Sequence, residues 1–426
     1  MPDRSPDRPS DNRPPDIHLH DLANPEFTEE QLQMIEGASA MATDINISLD
    51  ALMAAAREQT GLDNFGEDEY AEPLTALCKS IEESGWLSPM GRLGARSQLT
   101  SFLVNRLRLE NLYKQNPEIN DVEVKAPIII AGMPRSGTTH LHNLIASDEN
   151  LRSLPWWESL EPVAPEGVET IDGRVERAQQ GIDQRNYFLP HFDRMHEMTW
   201  DHVHEEIHLL GMSGSTMLFD TMGVFPSWRE YYKRTDQTPH YQYLKRILQA
   251  LQYLRGGERW ILKSPQHLEQ FRPLTTVFPD ATFAVTHRDP VSITASFCTM
   301  VSYSSRLSAK LPIDLRRLGN WWAQLIEDML TACTRDRHLL PEDRSIDIVF
   351  HEFMADDVTT VAKIYEIAGQ LFTDEVKQGM HTYMEEHPRG RHGRVAYDLP
   401  DFDIDPAERR EALLEYVENF GIRLES

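Results

Sequence analysis

The chain has 426 residues, with 42 basic and 68 acidic side chains and a formal charge of −26. That balance argues against nucleic acid or an anionic membrane as the main partner. It also means that any anionic ligand must be met by a local concentration of Arg and Lys. The length allows one large domain or two to three ordinary ones. Cys78, Cys298 and Cys333 lie far apart in sequence. They have neither metal-ligand nor disulfide spacing, which fits a reducing cytoplasm. No apolar run reaches the roughly 20 residues that span a bilayer, and the N-terminus lacks the apolar core of a secretory signal. A soluble, cytoplasmic protein is the expectation.

Taken in chain order, residues 1–24 are rich in Pro, Asp and Arg and poor in apolar residues, the composition of a disordered tail. Residues 25–120 read as a helical region. Thr28-Glu29-Glu30 opens one helix, and Leu52–Arg57 and Leu74–Ile81 fall within two more. Leu99–Leu112 forms another, with Leu103, Leu107 and Leu109 near its apolar side. These helices are expected to cap the remainder of the chain. In residues 121–426 the pattern changes to apolar runs of strand length: Ile128–Ala131, Trp260–Leu262, Thr282–Thr286 and Ile346–Phe350. Helical segments separate them. The alternation predicts an α/β fold, a central parallel sheet with helices on both faces. An insertion at about residues 155–255, rich in His and Trp, separates the first two strands and is long enough to shape a pocket with aromatic walls. Tyr231, Tyr232, Tyr241, Tyr243 and Tyr253 read as parts of packed helices. Asp405-Pro406-Ala407 to Phe420-Gly421 reads as one helix, with Asp at the N-cap, Pro at the first position and Gly past its end.

Three segments carry chemistry. The first is Ala126–Ile145, APIIIAGMPRSGTTHLHNLI. Strand, glycine-bearing loop and helix form the layout that cradles phosphate, with backbone N–H groups and a helix N-terminus aimed at one anion. Gly132 and Gly137 have the spacing of the ATP-binding P-loop, but Thr138 stands where that loop needs Lys. The cation has moved into the loop, to Arg135, whose guanidinium presents a fixed fork of donors. Ser136, Thr138 and Thr139 add hydroxyls, and Gly137 permits close backbone approach. The second segment is His287-Arg288-Asp289-Pro290 through Ser296-Phe297, where Arg288 comes after a strand and Asp289-Pro290 opens the next helix. Arg288 thus sits at the carboxyl end of a strand, where open α/β sheets place ligands. The third is Trp260 to His267, WILKSPQH, in which Lys263 ends a buried strand on the same rim.

Together these segments resemble the sulfotransferases that use 3'-phosphoadenosine 5'-phosphosulfate, in the bacterial branch with a PRSGTT-type loop. The resemblance runs from about Asp50 to the end. It implies a P-loop-like three-layer fold and transfer of a sulfuryl group to a hydroxyl or amine of a small-molecule, lipid or glycoside acceptor. It also implies that Arg135, Ser136, Gly137, Thr138 and Thr139 hold the 5'-phosphosulfate, and that Arg288 and Ser296, eight residues apart, hold the 3'-phosphate. HPRGRHGRVAYDL resembles the family's late basic loop, which puts Arg389 and Gly390 at the nucleotide. The chain departs from the better-known cytosolic members in carrying Arg135 where they have Lys. It also lacks the usual Gly-Asp-Trp-Lys ending of the late loop.

By analogy with phosphoryl transfer, the protein's work in such a reaction is positioning and electrostatic stabilisation. The transferred group carries less negative charge than a phosphoryl group, so no metal is expected. Arg135 and Lys263 are the candidates for neutralising the sulfonate and the leaving oxygen. A base within hydrogen-bond reach of the acceptor is also needed, and Glu158, His267 and the Glu205–Glu206 pair remain open. Other classes are weighed against this. His204-Glu205-Glu206-Ile207-His208 matches the zinc-protease pattern His-Glu-x-x-His, with His196 and His202 nearby. With 17 histidines in the chain and no third ligand at a familiar spacing, it ranks low. A kinase is disfavoured by Thr138 and by the lack of a Mg-binding aspartate after a second strand. An inactive nucleotide-binding protein stays open. The acceptor and the oligomeric state are not legible.

Overall fold

The computed structural model describes residues 14–42, 45–165 and 171–425. Its first element, β1 (Ile17–His18), pairs in parallel with residues Val395 and Ala396. The expected tail of residues 1–24 is thereby corrected in part. Residues 1–13 lie outside the described residues. Beyond them Leu19 and Leu22 are buried, because these few apolar side chains suffice to anchor an otherwise polar stretch.

Four helices come next: α1 (Glu29–Met41), α2 (Leu49–Thr60), α3 (Ala71–Ser84) and α4 (Pro89–Gln115). Thr28 and Gln31 exchange hydrogen bonds in a capping box at the start of α1. Ser48 caps α2 and Ser88 caps α4, with Pro89 in the first turn of α4. The Ser88-Pro89 start makes α4 longer than its apolar stripe, of which Leu99, Leu103, Leu107 and Leu109 are buried. The fully buried Arg106 ties this helix to its neighbours. Its guanidinium pairs with Glu69, donates to the carbonyls of Phe65, Glu67 and Met212, and packs on the rings of Tyr70 and Tyr243. Every donor direction of the buried cation that these bonds use is matched by an oxygen, which is what makes its burial tolerable.

The sheet then begins with β2 (Ile128–Gly132), and α5 (Thr138–Ala146) comes after it. The insertion builds α6 (Trp156–Leu160), α7 (Ile171–Phe188), α8 (Ile207–Gly211), α9 (Leu218–Met222), α10 (Pro226–Arg234) and α11 (Thr238–Arg255). Next come β3 (Ile261–Ser264), α12 (Phe271–Val277), β4 (Thr282–His287), α13 (Pro290–Ser304), α14 (Leu315–Asp336) and β5 (Ser345–Val349). The chain closes with α15 (Phe350–Ala355), α16 (Asp357–Ala368), α17 (Asp374–Glu386), β6 (Val395–Ala396), α18 (Pro406–Ala412) and α19 (Leu414–Asn419). The single terminal helix expected from the sequence is therefore two. The break falls at the buried Leu413, and it lets Leu413 and Tyr416 both face the core.

The four strands are parallel, in the order β3-β2-β4-β5. Ile128 and Ile130 face a core with Leu141, Leu144, Val361 and Ile364. Ile129 and Ala131 face the larger core, which also takes the buried side chains of α2, α3 and α4. This two-sided burial explains why β2 reads as a continuous apolar run rather than an alternating one. It gives the three layers, and it joins the N-terminal helices to one face of the sheet. The register aligns Ala131 with Ser264, Gly132 with Thr286 and His287 with Val349. The loop after β2, Lys263 and Arg288 therefore emerge along one carboxyl edge.

Candidate active site

The loop between β2 and α5 is held by contacts that leave no room for larger residues. A Cβ on Gly132 would lie 1.9 Å from Thr286 Oγ1 and 2.8 Å from Thr138 Cγ2. Ser136 donates to the Met133 carbonyl at 2.7 Å, and its oxygen meets Thr286 Oγ1 at 2.6 Å. Arg135 adopts a φ of 73°, a region that costs a side-chain-bearing residue energy. Two bonds fix it there: Nε donates to Ser296 Oγ at 3.1 Å and a terminal nitrogen to the Met195 carbonyl at 2.7 Å. Gly137, with a φ of 88°, leads into α5, and no side chain caps that helix among the described residues. The first-turn N–H groups of α5 are thus left for an anion in the loop.

Behind this loop lies a buried polar cluster. Lys263 is 2% exposed and its ammonium pairs with the Glu205 carboxylate. The adjacent Glu206 accepts the Lys263 backbone N–H at 3.0 Å and pairs with His267 Nε2. His267 Nδ1 in turn meets the Tyr241 hydroxyl at 2.9 Å. Burial alone would raise the Glu206 carboxyl, but His267 and the two backbone N–H groups outweigh it and hold the group below the usual carboxylate range. Glu206 and His267 are sealed inside. Glu205, by contrast, lines the large cavity in front of the loop.

Arg288 holds a position beside that loop, where a terminal nitrogen donates to the Arg135 carbonyl at 2.6 Å. Its fork grips the two oxygens of Glu425 at 2.6 and 2.7 Å, and its guanidinium lies 4.1 Å from the Phe350 ring centre. Ser292, one turn into α13, donates to the same carboxylate at 3.1 Å. Ser296, which the spacing pairs with Arg288, bonds Arg135 instead. The eight-residue spacing passes over Ser292, although a four-residue step along α13 would have reached it. Glu425 has no local signal at all, since nothing in the neighbouring sequence links it to Arg288.

The cavity measures about 890 Å³. Arg135, Thr138, Thr139 and Glu205 carry its polar wall. Its apolar wall departs from the expected aromatic one. Met90, Met195, Met217, Met222 and Met300 dominate with Leu87, Leu218 and Leu307, and the rings are those of Phe192, Phe297 and Tyr383. Of the insertion's tryptophans, Trp157 and Trp228 are core residues, since a large ring gains most where it is wholly enclosed; Trp200 is exposed and Trp156 packs edge-on against His204 and His208. His196, His202, His204 and His208 also line the cavity. Burial, reinforced by Lys263, brings His202 down to about 3; burial brings His208 to about 4 and His196 and His204 well below the ordinary value. These four imidazoles are therefore neutral near pH 7. The zinc-protease pattern is not presented on one helix. α8 starts only at Ile207, His204 and His208 hydrogen-bond each other at 3.0 Å, and Glu205 is engaged by Lys263.

Two further candidates lie apart. Glu158 is 1% exposed, bonded by Arg152 at 2.6 Å and Arg255 at 3.0 Å, and is not part of the cavity wall. Arg389 reaches Asp357 and the Met354 carbonyl, with Gly390 in a left-handed turn beside it. From the same late segment it is Arg391, paired with Glu197, that faces the cavity.

Comparison with known proteins bears on the family and the fold. Residues 127–374 match the model of the sulfotransferase family. The fold is similar to that of sulfotransferase STF1 from Mycobacterium tuberculosis, at 28% identity and a TM-score of 0.76 over 86% of this chain and 98% of that one. It is also similar to sulfotransferase STF9 from Mycobacterium avium, at 27% identity and a TM-score of 0.79 over 90% and 100%. A curated relative from Mycobacterium bovis, the omega-hydroxy-beta-dihydromenaquinone-9 sulfotransferase Stf3, is 22% identical over 61% of this chain and 67% of its own length. With its P-loop-like α/β sheet and a matched segment covering more than half its length, the chain belongs to the sulfotransferase family.

Proposed function

We propose that the enzyme transfers the sulfuryl group of 3'-phosphoadenosine 5'-phosphosulfate to the hydroxyl of a lipophilic acceptor. The observation that carries this reading is the shared cavity: Arg135, Thr138 and Thr139 bound it together with Glu205 and a methionine-rich wall. A volume near 890 Å³ lies at the upper end of the roughly 300–1,000 Å³ usual for ligand sites. The Stf3 relative is named for omega-hydroxy-beta-dihydromenaquinone-9, a hydroxylated menaquinone, which supports an alcohol with a long apolar body here as well.

Each group has its own task. The uncapped first turn of α5 and the hydroxyls of Thr138 and Thr139 hold the phosphosulfate end of the donor. The tight fit of the loop around Gly132 leaves the backbone open to a close approach, which is the fit such a group requires. Arg288 and Ser292 receive the 3'-phosphate, whose oxygens replace those of Glu425. Glu205 accepts the acceptor's proton as the new oxygen–sulfur bond forms. The sulfur–oxygen bond to the donor's 5'-phosphate breaks, and its electron pair stays on that phosphate. Arg135 and Lys263 stabilise the charge that moves there. Glu158 takes no part, being held by Arg152 and Arg255. We place the reaction in a bacterial cytoplasm, as supported by the mycobacterial relatives and three buried free thiols.

The test is thermal unfolding with adenosine 3',5'-bisphosphate against ATP. At a hundred times its dissociation constant the bisphosphate adds about 2.7 kcal/mol of stability. Stabilisation by ATP and none by the bisphosphate overturns the donor assignment.

A further inference from the structure

The helix α4 lies outside the segment that matches the family, residues 127–374. It nonetheless forms part of the cavity wall through Met90, Gly94 and Gln98, a row at four-residue steps, together with Gly91 and Ala95. Two of these residues are glycines in the first half of a 27-residue helix. A glycine there costs about 1 kcal/mol relative to alanine, so each calls for a reason.

Gly91 has one in packing. A Cβ there would lie 2.0 Å from the Ser308 carbonyl oxygen, where α4 crosses the turn that follows α13. Gly94 has neither that reason nor a conformational one. A Cβ at 94 would meet no heavy atom within 4 Å, and its φ is not positive. Gly94 is exposed at the edge of the cavity that it helps to line, so a side chain at 94 would enter the open space at that edge. The same cavity carries His204, which is 8% exposed and whose Nδ1 has no hydrogen-bond partner among the described residues. The cavity offers the polar side chains of Gln98, Thr139 and Glu205 as well as an apolar wall.

We propose that Gly94 is a specificity-determining residue. The space left by its missing side chain takes the apolar tail of the acceptor alcohol and sets the tail length the enzyme accepts. The inference rests on the reading of the cavity as an acceptor site. It assigns to the N-terminal helices a part in substrate choice, on a helix that lies outside the family-matched segment.

Gly94→Ala, Gly94→Leu and Gly94→Phe test it, with primary alcohols from butanol to dodecanol as probes. Release of adenosine 3',5'-bisphosphate reports transfer, and calorimetric titration with dodecanol reports binding without chemistry. Enlarging residue 94 should cut kcat/KM for dodecanol by about 10-fold to 200-fold, the range for crowding a methylene-sized space, and weaken its binding in step. Butanol should be transferred as by the wild type. Nucleotide binding should be maintained and the melting temperature should hold or rise, since alanine, leucine and phenylalanine are all better helix formers than glycine. Undiminished dodecanol binding in Gly94→Phe overturns the assignment, as does an equal loss for butanol and dodecanol, or a wild type that binds neither. Failure of the donor assignment alone is distinguishable: transfer is then absent while the dodecanol titration still separates the variants.

Discussion

Glu158 offers the sharpest separation between a buried structural carboxylate and a catalytic one. It sits at the start of α6 between Arg152 and Arg255, whose guanidiniums lie 4.6 Å from the Trp260 ring and 4.8 Å from the Trp157 ring. Glu158→Gln keeps the shape and removes the charge, leaving Arg152, only 9% exposed, beside a neutral amide. Breaking a buried pair costs about 3–5 kcal/mol. Arg255 is a third exposed and is screened by solvent, so the low end, about 3 kcal/mol, applies. At about 2.1 cal/mol/K per residue the unfolding entropy of 426 residues is about 0.9 kcal/mol/K. The melting temperature should therefore fall by about 3 °C. Below the melt, kcat and the pH–rate profile should match the wild type. The reasoning is refuted if the melting temperature holds while kcat drops about a hundredfold or more, the loss expected of a general base.

The same geometry sets three more outcomes. Glu205→Gln should lower kcat by about 10²–10⁴-fold, with bisphosphate binding intact; retained activity removes Glu205 as the base. Gly132→Ala drives a Cβ into Thr286 Oγ1 and the Ser136–Thr286 hydrogen bond, costing about 1–3 kcal/mol from overpacking. Thr286→Ala in the same chain should recover part of that, and strict additivity of the two substitutions in urea unfolding would speak against the contact. Asp220 is buried, and its carboxylate oxygens have no hydrogen-bond partner among the described residues; burial raises its carboxyl to about 7, with Arg229 opposing and Glu269 adding. The unfolded value is about 3.9, so the folded chain keeps a proton that the unfolded one has lost. Stability should fall as pH rises from about 4 to about 7 and level off above. Asp220→Asn should flatten that slope, its gain in melting temperature growing toward neutral pH; an equal gain at both ends contradicts the assignment.

The parts of this molecule that were legible in the sequence are those whose physics is local. The run Ile128–Ala131 is buried on both faces, so it advertises a central strand without any partner in view. Asp289-Pro290 marks the end of β4 and the start of α13 by capping chemistry alone. Arg135 and Arg288 could be placed on one rim because each comes just after a strand. Choices between neighbours were not legible. Glu205 and Glu206 differ by one position, yet one faces the cavity and the other is sealed with His267, because residues 202–206 keep no regular period. Arg389 and Arg391 are parted the same way by the left-handed Gly390 between them. The methionine wall was hidden because its residues come from α4, α9 and the residue just before it, α13 and the loop before α8, and no window of sequence holds them together.

The bond between Arg288 and Glu425 constrains how any anion can arrive. Both oxygens of that carboxylate already fill the guanidinium's two parallel N–H vectors, and the Glu425 backbone N–H is tied to Asp289. An incoming phosphate and this carboxylate are rivals for a single pair of donors. Saturation of Arg288 from outside and tethering of residues 421–425 thus exclude each other, and amide deuterium uptake in that last stretch becomes a gauge of which rival has won.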